Sequence, residues 1–172
     1  MAKLEAKFCT VIKHAMVDAY KIPDDTSYMM GGHGGQTTKR PLDGIGMIDT
    51  CDGLKFCAWE AKYMPSAQAL NISKRLEEHQ DYYLRSWARS GILTYLIVGV
   101  DYGRADKRVF IFDWDEKFGA LYKTGKFSIH KKVLDTLPFN KVYKDTFLFE
   151  NILTYDEVIK HLGIETSETE DA

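Results

Sequence analysis

The run from residue 41 to residue 63 constrains this chain more than any other, because two apolar segments there flank a turn signal. Residues 45–48 are short and apolar, Asp52-Gly53 is a hairpin-type dipeptide, and residues 56–63 have the content of a second strand. Alternation along that second strand puts Phe56, Ala58, Glu60 and Lys62 on one face. Asp43 stands just before the first strand, with sixteen residues between it and Glu60. The hairpin thus delivers two acids and a lysine to neighbouring strand ends. A strand that leaves the core and surfaces with Glu and Lys side by side lines a cleft.

The 172 residues fit a single domain with a real hydrophobic core, expected over residues 1–164. Residues 165–172 carry four acids and no bases, which predicts a disordered acidic tail. No apolar run approaches the roughly 18 residues of a membrane-spanning helix. The first seven residues lack the apolar stretch of a secretory signal, so a cytoplasmic protein is expected. Cys9, Cys51 and Cys57 match no zinc spacing and are expected as reduced thiols. The net charge of −2 becomes slightly positive without the tail, with 23 basic and 21 acidic residues left. That balance neither supports non-specific DNA binding nor excludes a localised basic cleft.

Around the hairpin, residues 3 to about 20 read as an amphipathic helix, with Phe8, Val11, Ile12, Ala15, Met16 and Ala19 on one stripe. Residues 31–38 form a glycine-rich flexible loop, either a flap that reaches a substrate or a plain linker. It is no Walker loop, because no Gly-Lys-Ser/Thr follows. Residues 71–89 are expected as one long helix stopped by Gly91, followed by strands at 92–100 and 108–114. Residues 115–151 read as irregular, aromatic and basic. Thr154 and Glu157 suit a capping box for a short helix ending near Gly163. A helical crossover between the strands at 56–63 and 92–100 predicts an α/β fold with a mixed β-sheet flanked by helices.

Phosphodiester cleavage needs a divalent cation, an activated water and stabilisation of phosphate charge. The carboxylates of Asp43 and Glu60 suit Mg²⁺, a hard ion that prefers oxygen and keeps several waters. The carbonyl of Ala61 can complete the protein ligands. Lys62 is placed to orient the attacking water or to neutralise the phosphate, and proximity to a metal can lower a lysine pKa. Glu-x-Lys alone is also a common surface ion pair, and Pro-Leu-Asp-Gly a common turn. Asp43 before the first strand, with helix and strand following in order, favours the site.

The pattern Asp43…Glu60-Ala61-Lys62 on a hairpin, followed by helix and strand, resembles the PD-(D/E)xK nuclease superfamily. Glu60-Ala61-Lys62, then Glu78-His79-Gln80, then the apolar strand after Gly91 resemble the RecU-like Holliday junction resolvases over about residues 37–114. The resemblance implies a restriction-endonuclease-like core in a single nuclease domain. It implies a homodimeric, Mg²⁺-dependent DNA endonuclease of a bacterial or phage-infected cell, with Mn²⁺ as a possible substitute, that nicks four-way junctions symmetrically. The first motif reads Leu42-Asp43 instead of Pro-Asp, and the basic N-terminal extension of such resolvases is missing. The alternatives are another nuclease of the superfamily acting on duplex or flap DNA, and a nuclease-like module that binds DNA without cutting.

Gln80, on the helix after Lys62, is a candidate for orienting water or phosphate, or else an ordinary polar helix position. His79 projects about 100° away from it and is expected to be structural. Lys39 and Arg40, close before Asp43, are candidate DNA-phosphate contacts. Glu5 is read as a solvated helix position, Asp49 and Asp52 as turn residues, and Trp59 and Trp87 as core.

Overall fold

The computed structural model describes residues 2–23 and 39–163; the glycine-rich segment 31–38 and the acidic tail 165–172 fall outside them. Helix α1 (Ala2–Ala15) ends earlier than the apolar spacing suggests, and the chain turns into strand β1 (Asp18–Lys21). The reason is tertiary. The Val17 amide donates to the Met47 carbonyl at 2.9 Å, and β1 pairs antiparallel with β2 (Gly44–Thr50). Gly46 permits this approach, since a Cβ there would lie 2.5 Å from Met16 Sδ and 2.8 Å from the Asp18 carbonyl oxygen. Met16 and Ala19 suit a helical stripe and a sheet edge equally, and pairing decides.

The hairpin forms as its sequence dictates. β2 pairs antiparallel with β3 (Gly53–Met64), Thr50 opposite Gly53, so that Cys51 and Asp52 make a two-residue turn. Gly53 takes a φ of +97°, a conformation open mainly to glycine. On its other side β3 runs parallel to β5 (Leu93–Asp101), which requires a crossover. The crossover contains β4 (Leu70–Asn71), α2 (Ile72–Arg75) and α3 (Glu78–Arg89). Residues 71–89 are therefore two helices with a break at Leu76 and Glu77, both extended. Leu76 is buried in the core and the Tyr122 hydroxyl donates to its carbonyl at 2.9 Å, which compensates for the broken helical bonding.

Strand β6 (Lys107–Asp113) follows antiparallel to β5. The stretch expected to be irregular instead holds α4 (Glu116–Lys123), β7 (Ser128–Ile129), α5 (Lys131–Leu134) and β8 (Asn140–Lys141). Asp115 caps α4 by accepting from the Phe118 amide at 2.9 Å, and β7 pairs with β4. Both β8 and β9 (Ile152–Leu153) add to the outer edge of β6, the latter in parallel. Helix α6 (Tyr155–Leu162) begins at the Thr154–Glu157 capping box and ends at Gly163 with a φ of +66°, as expected. The result is an α/β fold whose mixed sheet runs β1-β2-β3-β5-β6-β8, mostly antiparallel and flanked by helices.

Each sheet face has its own core. On one, Phe8 and Ile12 of α1, with Met16 just after it, cover Trp59, Ala61 and Ile97. On the other, Leu84 of α3 and Phe118 of α4 pack against Ala58, Leu96, Phe112 and Trp114. Alternation along β3 therefore sends Glu60 and Lys62 to the α3 face. Helix α3 is fixed there by Asp81, 1% exposed, which accepts from Arg85 Nε and Trp114 Nε1, each at 3.0 Å. Removing that carboxylate leaves the buried Arg85 guanidinium with only the longer 3.7 Å contact to Glu116. Asp81→Ala should cost about 3–5 kcal/mol of stability by urea unfolding. A loss below about 1 kcal/mol would show that the network does not hold α3.

Candidate active site

The site forms where the β2–β3 ladder ends. Gly44 opposite Trp59 is the last paired position, and at Asp43 the side chain takes over from the backbone. Asp43 Oδ2 accepts the Ala61 amide at 2.8 Å, while the Asp43 amide donates to Glu60 Oε2 at 3.1 Å. Each carboxylate is thus bound by the other strand's main chain. Gly44 allows this, because an added Cβ would overlap the buried Trp59 ring. Leu42, fully buried, anchors the approach from the other side, and the Asp43 carbonyl accepts from the Ile22 amide at 2.8 Å.

Glu60 is 2% exposed. Its Oε1 accepts from Lys62 Nζ at 2.9 Å and from Gln80 Nε2 at 2.5 Å. The Gln80 amide is held at both ends, since its Oε1 accepts the Glu77 amide at 2.9 Å. Gln80 is therefore not a free polar helix position: it ties the start of α3 to Glu60. The Arg40 guanidinium lies 2.5 Å from Asp43 Oδ1.

Asp43, Glu60, Lys62, Gln80 and Arg40 thus line one cleft of about 320 Å³. Ala61 contributes only main chain, because its side chain is buried on the opposite face. In a strand the amide and carbonyl of one residue share an edge, which puts the Ala61 carbonyl on the side of Asp43. Lys39 stands at the rim, largely exposed and paired with Glu77. His79 turns away from Glu60 and lies 3.5 Å from Glu77.

The cleft also takes Glu5 from α1, Lys21 from β1 and Glu77 from the helix break. Lys21 is not foreseeable from sequence, since it lies beyond a helix that reads as longer than it is. Glu77 is hidden inside an apparently continuous helix. The one available signal is the Glu-x-x-Gln spacing to Gln80, which resembles a capping pattern.

Burial pushes the Glu60 carboxyl up to about 8, reinforced by the charge of Asp43 and opposed by Lys62 and Arg40. A buried Glu60 whose proton affinity is raised in part by the charge of Asp43 favours a cation between the two acids. The donors are hard oxygens: two carboxylates and one adjacent carbonyl. Among the described residues no three His, Cys, Asp or Glu side chains group as a metal site. Two carboxylates and one carbonyl could hold a hard ion that keeps much of its water. Cys9 borders the cleft, but burial raises its thiol to about 12, so it stays protonated.

No protein-family model and no curated protein matches the chain. The chemistry of the cleft follows from its own side chains.

A carboxyl whose pKa rises on folding adds stability that is complete below its unfolded value, here 4.5, and is lost as pH climbs through about 8. Chelator-treated protein should therefore melt at progressively lower temperature from about pH 5 to about pH 9. Glu60→Gln should flatten that decline. Superimposable Tm–pH profiles for the two proteins would refute the assignment of the shifted proton to Glu60.

Proposed function

We propose that this chain is a Mg²⁺-dependent DNA endonuclease with a restriction-endonuclease-like core, which cuts four-way junctions by symmetric phosphodiester hydrolysis. The observation that carries the reading is the convergence of Asp43 and Glu60, with Lys62 Nζ 2.9 Å from Glu60. The resemblance to RecU-like resolvases through Glu60-Ala61-Lys62, His79-Gln80 and the strand after Gly91 supplies the junction. A module that only binds DNA has no need for two buried acids, each satisfied by the other's strand.

Asp43, Glu60 and the Ala61 carbonyl hold the ion. Bound there, Mg²⁺ supplies Lewis-acid polarisation of the phosphate and a more acidic water, and Mn²⁺ suits the same oxygens. Lys62 orients the attacking water and offsets charge on the phosphate oxygens. Gln80 keeps Glu60 aimed into the cleft through its bond to Oε1. Arg40, beside Asp43, meets the incoming phosphate, and Lys39 at the rim contacts the backbone further out. Symmetric nicking requires two such sites related by a two-fold axis, hence a homodimer with both clefts on one side.

Asp43→Asn, Glu60→Gln and Lys62→Ala should each lower cleavage by about 100-fold or more while sparing DNA binding, which is spread over many cations. The assay compares four-way, three-way, linear duplex and single-stranded DNA with and without Mg²⁺, alongside sedimentation of the protein with junction DNA. Wild-type cleavage by Glu60→Gln would overturn the mechanism. Equal cutting of linear duplex and junction by a monomer would overturn the junction assignment.

A further inference from the structure

Three clefts meet end to end around α1. Glu5 and Lys62, which border the catalytic cleft, also line a smaller one of about 240 Å³ together with Tyr63 and Arg75. Tyr63 in turn borders a groove of about 660 Å³ between α1, the strands β5 and β6, and the segment that follows β8. Shared side chains therefore make one path, from Asp43 and Glu60 round to the far side of α1.

The path has cations along its edges and an apolar floor. Arg75 stands in the middle section, with Lys7 of α1, Lys107 of β6 and Lys144 of the turn after β8 around the large groove. Arg75, Lys7 and Lys107 have no ion-pair partner among the described residues, and Lys144 contacts only the Tyr143 ring, at 5.3 Å. Arg108 is already paired with Asp106. The floor is Leu4, Phe8, Val11 and Val142. Beyond Asp43, Glu60 and Glu77 of the catalytic cleft, the acids on the path are Glu5 in the middle and Asp145 at the far end, whose carbonyl lies 3.2 Å from His14 Nδ1.

Unpaired cations beside an apolar floor fit a polyanion that also exposes flat apolar faces. A single DNA strand has both, with phosphates for the cations and unstacked bases for the floor. A duplex keeps its bases inside and would leave the floor uncovered. Continuity with the catalytic cleft selects a strand over an acidic protein segment, because the same chain can place a phosphate at Glu60.

We propose that a single DNA strand leaving the catalytic cleft passes Arg75 and Tyr63 into the groove between α1 and β6, with its phosphates on Lys7, Lys107 and Lys144. The proposal rests on the endonuclease reading and adds to it the route of one strand that is unpaired beyond the branch point. It makes these lysines binding residues, none of them lining the catalytic cleft.

The test is fluorescence anisotropy with a labelled oligo-deoxythymidine of about 15 nucleotides in chelator-containing buffer, using the full chain. Lys7→Glu/Lys107→Glu/Lys144→Glu should weaken binding by about 10-fold or more and reduce the salt slope by about 2. Lys123→Glu/Lys126→Glu/Lys132→Glu makes the same charge change on exposed residues away from the groove, and should leave affinity within about 3-fold. Circular dichroism melts confirm that both variants fold. Equal losses in the two variants, or none in the first, would overturn the route while leaving Mg²⁺-dependent cleavage standing. Wild-type protein that binds the strand through the groove but never cuts any DNA would support the route and overturn the endonuclease reading. Absence of all DNA binding would overturn both.

Discussion

The exchange of hydrogen bonds that joins Asp43 to the Glu60 carboxylate and the Ala61 amide is the interaction on which the rest of the site depends. Burying one carboxylate without partners costs several kcal/mol, and this fold buries two in the same place. It does so by stopping the β2–β3 ladder one residue early and letting side chains accept the amides that a longer ladder would have used. Gly44 under the Trp59 ring, buried Leu42 and the Ile22 amide on Asp43 all serve that local rearrangement. Lys62, Gln80 and Arg40 then complete the shell around the remaining oxygens.

Neighbouring residues of α3 divide two tasks. Gln80 reaches Glu60 and holds the cleft, while Asp81 turns inward to Arg85 and Trp114 and holds the helix. The break at Leu76 and Glu77 makes this possible, because it starts α3 afresh with Glu77 bound by the Gln80 side chain. A helix running unbroken from residue 72 would have used the Glu77 amide in its own ladder and left the Gln80 oxygen without that partner.

What the sequence disclosed was local in origin. The Asp-Gly turn and the period-two alternation are properties of neighbouring residues, so the hairpin, the shared face of Glu60 and Lys62, the apolar β5 and the capped α6 were all legible. What it concealed depends on distant partners. β1 exists because β2 offers an edge with Gly46, and α2 and α3 part because Leu76 is drawn into a core that includes residues far along the chain. Residues 115–151 form short elements with few internal signals, and the Asp115 cap of α4 shows only in the structure. Lys21 joins the cleft through the same β1 pairing that the apolar stripe of α1 obscured.

The three thiols differ in a way their spacing did not announce. Cys9 and Cys57 lie in the core beneath α1, and burial lifts both thiols to about 12, where almost no thiolate exists at neutral pH. Cys51 sits exposed in the turn between β2 and β3, at the far end of the hairpin from Asp43 and Glu60. Since the thiolate is the reactive form, burial silences two of the three sulfurs, and access singles out Cys51. The chain thus carries a natural attachment point for a reporter group, on the same two strands as the cleft yet separated from it by their length.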